Sequence, residues 1–204
     1  MATVNSPSDV VNLALVRIGH PMRVGNLYDG SKAAKVALDI YGQTRDELLR
    51  AGQWGFAERN AVINSIKQAP PGGYIPPTVW TTAYPPIPWL FEYAYPIDCL
   101  KVRAVKQVPL FVPSFAPQPN VFSTPNDSAL SAKVIVCNVG PSAALVYTGR
   151  VTDPTQWEAS FIEAMAAALA RRLSVALSPE GLKDLQPEAQ DEVAETMSAG
   201  EIQG

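Results

Sequence analysis

One histidine, two cysteines and few charges are all that this chain offers to chemistry that needs ionisable side chains. Asp, Glu, Lys and Arg make up 17% of its 204 residues, below the roughly 25% usual for soluble domains. A surface so poor in charge suits a chain that buries surface in an assembly. The net charge of -3 lacks the clustered excess of Lys and Arg that a nucleic-acid footprint requires. Cys99 and Cys137 are too few and too far apart for a disulfide framework or a four-ligand zinc site and read as buried thiols. His20, with no second histidine to join it, reads as an end-of-helix residue. The N-terminus has neither a basic segment nor an apolar run of signal-peptide type, and the alanine-rich stretch near the other end is interrupted by Glu163, Arg171 and Arg172. The expectation is a soluble chain made in the cytoplasm, without membrane contact.

Motifs of catalysis are missing too: there is no P-loop, no glycine-rich dinucleotide loop, no HExxH and no G-x-S-x-G. The carboxylate pairs Glu158 with Glu163 and Asp46 with Glu47 fall at spacings that do not bring both groups to one helical patch. No catalytic, cofactor-binding or metal-binding residue is therefore assigned, and the chain is not expected to be an enzyme.

What is present is a strong helical pattern at both ends. From Thr152 to Ser178, Asp153, Pro154 and Gln156 read as a capped helix start. Trp157, Phe161, Met165, Leu169 and Leu173 then recur every four residues as a core spine, widened by Ile162, Ala166 and Leu177. Ser6, Pro7 and Asp9 start a first helix that runs to Gly19. Asp29 to Ser31 cap a long amphipathic one, carrying Ala34, Ala37, Leu38, Tyr41, Leu48 and Leu49 and ending at Gly52. Trp54 and Phe56 follow as anchors. A thinner, acidic helix is expected from about Leu182 to Met197.

The middle third differs. Thirteen of the 19 prolines lie between Pro70 and Pro125, which excludes long helices. Seven of the aromatics fall between Tyr74 and Tyr95, and Glu92 is the only charge between Lys67 and Asp98. Disordered linkers are poor in aromatics and rich in charge, so an ordered strip is expected. Leu90–Tyr95, Cys99–Val105, Lys133–Val139 and Ala143–Tyr147 read as strands, the last two as a hairpin around Gly140-Pro141. Pro109 to Asp127 reads as a projecting loop. The fold expected is α+β, mainly α: one domain made of a bundle of about four helices (residues 1–66 and 151–200). A small antiparallel β region with extended Pro-rich loops is inserted at residues 67–150.

Three segments, in this order, resemble the head-to-tail adaptor proteins of tailed bacteriophages, the tail tubular and head-completion proteins. Arg45 to Ile63, RDELLRAGQWGFAERNAVI, is similar to that family's long helix followed by a Trp and a Phe-Ala pair. Phe91 to Val105, FEYAYPIDCLKVRAV, resembles its aromatic strand, Tyr-x-x-Pro-x-Asp-Cys-Leu turn and next strand. In Val146 to Ser178, Tyr147, Asp153, Trp157, Phe161, Ala167, Leu169 and Ala170 match its pattern. The resemblance covers about half the chain. It implies a structural virion protein at the head-tail junction: a homo-oligomeric ring, commonly of twelve copies, under the portal protein. Such a ring connects the portal to tail or nozzle proteins and helps retain packaged DNA, which passes through without tight binding. On that reading Tyr74, Trp80, Tyr84, Trp89, Phe111 and Phe115 are expected subunit contacts. The weakly apolar acidic end would dock on the portal through Val193, Met197 and Ile202, folding as it binds. Two other classes stay open: a virion-associated cell-wall hydrolase, which a carboxylate pair in a cleft would favour, and a soluble binding module unrelated to phage.

Overall fold

The computed structural model describes residues 4–74, 79–108 and 121–177. They divide into two compact units, one of residues 1–57 with 150–204 and one of residues 58–149. The helix expected from Leu182 to Met197, the docking residues Val193, Met197 and Ile202, and Phe111 and Phe115 lie outside the described residues.

The first unit holds three α-helices among its described residues: α1 (Pro7–Arg17), α2 (Lys32–Ala51) and α3 (Ala159–Leu177). Ser6 caps α1 by accepting from the Asp9 N–H at 3.3 Å, and the Asp9 carboxylate accepts in return from the Ser6 N–H at 2.9 Å, a reciprocal arrangement that satisfies two helix-end donors. The Asn12 amide donates to the Val24 carbonyl and accepts from the Val24 N–H, fixing the loop after α1. Ser31 caps α2, and Gly52 closes it with an N–H to the Leu48 carbonyl. The core is Val10, Val11, Ala14 and Leu15 of α1, Ala34, Ala37 and Leu49 of α2, and Phe161, Met165, Ala166, Leu169 and Leu173 of α3. Leu38, expected on the apolar face of α2, is 40% exposed.

The capped start read at Pro154 is real but belongs to a single 3-10 turn, Pro154–Gln156, with Asp153 accepting from the Thr155 N–H. The chain then extends at Trp157 before α3 begins at Ala159. Two partners hold that break: the Trp157 indole N–H donates to the Val151 carbonyl at 3.1 Å, and its ring sits between Tyr41 and Phe161.

The second unit overturns the expectation of a four-helix bundle carrying a small β region. It is a seven-stranded, wholly antiparallel sheet. Its strands are β1 (Glu58–Gln68), β2 (Phe91–Ala94), β3 (Cys99–Gln107), β4 (Phe122–Ser123), β5 (Asn126–Asp127), β6 (Ala132–Cys137) and β7 (Ser142–Gly149). The order is β3-β7-β1-β2-β6-β4, with β5 also on β6. β1 joins the two halves: residues 58–64 pair with β7, and after a register shift between Ser65 and Lys67 its end pairs with β2. That strand falls in the stretch read as helical. It escapes a period-2 search because neither set of alternate positions is purely apolar: exposed Val62 and Ile66 alternate with Asn64 and Gln68, Ala61 and Ile63 are followed by Ser65, and the register shift after Ser65 sets Lys67 across from Glu92.

The hairpin expected around Gly140-Pro141 does not form. β6 pairs with β2, β4 and β5, β7 pairs with β1 and β3, and β1 and β2 lie between them. The turn is bonded outward, the Pro141 carbonyl accepting from the Ser65 N–H at 2.9 Å. A Cβ at Gly140 would meet the Phe91 ring at 2.5 Å, so glycine there lets the ring lie on the backbone. The sheet core gathers Tyr93, Val105, Ile135, Cys137, Val139, Leu145 and Tyr147. Cys99 and Cys137 are both buried and unbridged. No described helix is long and apolar enough to cross a membrane.

Candidate functional site

β2 is covered on both faces. Tyr93 points into the sheet core, while Glu92 points to the opposite side and is nevertheless only 1% exposed. The β1–β2 register sets Lys67 directly across from Glu92, and the pairing of β5 with β6 brings Asp127 to the same place. The Lys67 ammonium bonds to Asp127. It also forms an ion pair at 3.4 Å with Glu92 Oε1, a buried oxygen that has no closer hydrogen-bond partner among the described residues.

The two carboxyl groups are pushed in opposite directions. Burial first, and then the neighbouring Asp127 carboxylate, push the Glu92 carboxyl above its ordinary range against the pull of Lys67. Asp127 is held below its range, chiefly by its bond to Lys67, and the Lys67 ammonium is held charged by Asp127. Glu92 thus keeps its proton to higher pH than Asp127, whose charge is held by the Lys67 ammonium.

A folded loop covers it. The Tyr74 hydroxyl and the Trp80 indole N–H both donate to the Pro85 carbonyl, at 2.6 and 2.8 Å, and Tyr74 also reaches the Trp89 carbonyl at 3.2 Å. The Tyr74 and Tyr84 rings meet edge-on at 6.4 Å. Between this loop and the turn at Pro125–Ser128 lies a pocket of about 140 Å³, lined by Lys67, Glu92, Asp127, Trp80, Tyr84 and Pro86, with Thr82, Asn126 and Ser128 among its remaining walls.

Four residues expected as subunit contacts, Tyr74, Trp80, Tyr84 and Trp89, are therefore brought together in one loop, with Trp80 and Tyr84 on the pocket. The spine residues Trp157, Phe161, Met165, Leu169 and Leu173 are all buried. Lys67 and Asp127 were not singled out by the sequence. The one signal was Glu92, a lone acid in an aromatic strand; its partners come from other strands and follow only from the register.

What the arrangement can do is hold a proton and accept a hydrogen bond from a ligand. Among the described residues no group of three or more His, Cys, Asp or Glu is placed to hold a metal ion. No family model matches the chain, and a comparison with curated proteins finds no match.

Proposed function

We propose that the chain is a structural virion protein, a head-to-tail adaptor of tailed bacteriophages. It would form a ring that joins the portal to the tail and helps keep packaged DNA in. The observation that carries this reading is where the resembling segments come to lie. Trp54 and Phe56 of the first segment pack edge-on or tilted against Phe161 of the third at 5.0 and 5.2 Å, and Trp157 joins them at 4.9 Å from Phe161. Tyr147 of the third segment donates to Asp98 of the second at 3.1 Å. Residues matched by chance in separate stretches have no reason to share two cores. The aromatics of the matched segments thus have a physical role: they tie residues 54–56 to α3 within the helical unit.

Exposed apolar side chains in the sheet unit, Val79 at 76%, Ile87 at 60% and Ile97 at 99%, supply surface suited to subunit contacts. The test is mass photometry of the purified chain mixed with the portal protein of the same genome. A large ring-sized assembly is expected. A chain that stays monomeric with portal at every concentration overturns the reading, whereas assembly weakened by Ile87→Asp and Val79→Asp together locates the contact.

A further inference from the structure

We propose that residues 58–63 of β1 accept an added strand, and that this strand is the proline-punctuated segment 109–119 of a second copy of the chain. The first ground is a ladder built on one side only. β1 pairs with β7 through residues 58–64 but with β2 only from Ser65 onward. On the β2 side, residues 58–63 therefore have no neighbouring strand among the described residues.

One bond shows which backbone groups face that gap. The Ser65 N–H donates to the Pro141 carbonyl at 2.9 Å, so Ser65 points its amide toward β7. In an antiparallel ladder the pointing alternates along the strand. Arg59, Ala61 and Ile63 thus face β7, while Glu58, Asn60 and Val62 face the gap. No described group bonds to the main chain of Asn60 or Val62 on that side. All six residues are at least partly exposed, Val62 at 66%, so a partner can reach them. An accessible, unpaired row of N–H and C=O groups is a template for strand addition.

The occupant is identified by where its prolines fall. Residues 109–119 read PLFVPSFAPQP and lie outside the described residues. In an extended chain successive N–H groups point to opposite sides. Pro109, Pro113, Pro117 and Pro119 all stand at odd positions, where only Phe111 and Phe115 keep an N–H. Leu110, Val112, Ser114, Ala116 and Gln118 keep every donor on the other side. Such a segment can join a ladder along one side only, the position in which sheets tolerate proline, and the sheet stops after one added strand. The segment carries no charge, and Leu110 or Val112 can pair across with exposed Val62. Within one chain it connects β3 to β4, the outer strands of the order, so reaching its own β1 would carry it over paired strands. Joining a segment on one copy to a gap on the next is a head-to-tail contact, which makes a ring when its rotation closes. The choice of a second copy rests on the ring proposed above.

The experiment titrates a synthetic peptide of residues 108–120 into the full chain at a concentration where the chain is monomeric, with amide hydrogen exchange read by NMR. Exchange at Asn60 and Val62 should slow by about tenfold or more as peptide is added, while Ala61 and Ile63, bonded to β7, are slow throughout. In the peptide, Val112→Pro or Ser114→Pro removes a donor from the pairing side and should weaken binding by about tenfold. Phe111→Pro should bind as Phe111→Ala does. Equal losses from odd and even prolines overturn the strand geometry, and no slowing at about 1 mM peptide overturns the site. Slow exchange at Asn60 and Val62 already in the dilute chain shows the gap filled by the chain itself and overturns the second copy as occupant. In the full chain, Val62→Pro spares the β7 ladder, because that N–H points away from it, and should abolish peptide binding; if this variant fails to fold, the peptide series still decides. Mixed with the portal protein, Val62→Pro should form no rings. Rings like those of wild type overturn the proposal and leave the adaptor reading standing, whereas a wild-type chain that never assembles sinks that reading while protection of Asn60 and Val62 by peptide still supports the strand site.

Discussion

The two units bury polar groups by different means. In the helical unit two buried hydroxyls are answered within their own helices, Thr44 donating to the Ile40 carbonyl and Ser174 to the Arg171 carbonyl, while the Tyr41 hydroxyl is buried without a hydrogen-bond partner among the described residues. Two of its ion pairs, Arg17 with Glu163 and Arg172 with Glu47, stay at exposed rims, while Arg45 and Asp46, neighbours on one helix, form a covered pair. In the sheet unit an ionisable group, Glu92, is fully covered, and its neighbours Lys67 and Asp127 arrive from two other strands. A helix supplies carbonyls one turn away and can satisfy a hydroxyl locally. A strand has its carbonyls engaged in the ladder, so a polar side chain under a covering loop depends on distant partners or on a ligand. The sheet unit is therefore where sequence-distant residues decide both stability and chemistry.

The largest effect is expected in the helical unit. Phe161 is fully buried and touches three other aromatic rings, Trp54, Phe56 and Trp157, so Phe161→Ala should cost about 3 to 5 kcal/mol. Denaturant unfolding followed by circular dichroism measures it. A loss under 1 kcal/mol, a size usual for surface changes, would mean that the cluster is not the join between the chain's two ends. Lys67→Met comes next at about 3 kcal/mol, because it leaves Asp127 and Glu92 facing each other with no cation. The same measurement at neutral pH checks it, and the cost should shrink in acid as Asp127 takes up a proton.

Glu92→Gln should act in the opposite sense. Because the folded-state carboxyl lies above the ordinary 4.5, the folded chain keeps a proton that the unfolded chain has released. Stability therefore falls as pH rises from about 4.5 to the folded-state value, and then levels off. Glutamine has the shape without the titration. The variant should match wild type below that window and exceed it above, as seen in thermal midpoints taken across pH. Asp127, whose carboxyl is depressed, runs the other way: its contribution is present above the ordinary 3.8 and lost as pH falls. A variant less stable than wild type at neutral pH would show Glu92 to be ionised and paired with Lys67.

The same contrast explains what could be read from the sequence. The helices were legible because caps and periodicity are local: Ser6 with Asp9, Ser31 and Gly52 mark ends that the structure keeps. Four strands were legible for the same reason, from runs such as Val134 to Cys137. β1 was not, since Asn64, Ser65 and Lys67 interrupt its apolar alternation. Nor was the separation of β6 from β7, which depends on β1 and β2 lying between them. The break at Trp157 was hidden because its spacing to Phe161 fits a helix, while the bond to the Val151 carbonyl that holds the backbone extended leaves no periodic trace. The pocket was illegible for the strongest reason: Lys67, Glu92 and Asp127 meet only once a bulge has set the register of β1.

The smallest effect tests whether burial, and not the mere presence of a charge pair, decides what a pair contributes. Arg17 of α1 and Glu163 of α3 form an ion pair of the same kind as Lys67 with Asp127, but their side chains are 36% and 59% exposed against 15% and 11%. Water screens the exposed pair, and holding two long side chains together offsets much of its attraction. Glu163→Gln should therefore change stability by about 0.5 kcal/mol or less, and the difference should vanish in high salt. Lys67→Met should keep most of its cost in the same salt, since a covered pair is poorly screened. Denaturant unfolding of both variants at low and high salt makes the comparison. If Glu163→Gln costs as much as Lys67→Met, or if salt erases both, then the loop over Glu92 does not exclude water and the sheet unit handles charge no differently from the helical one.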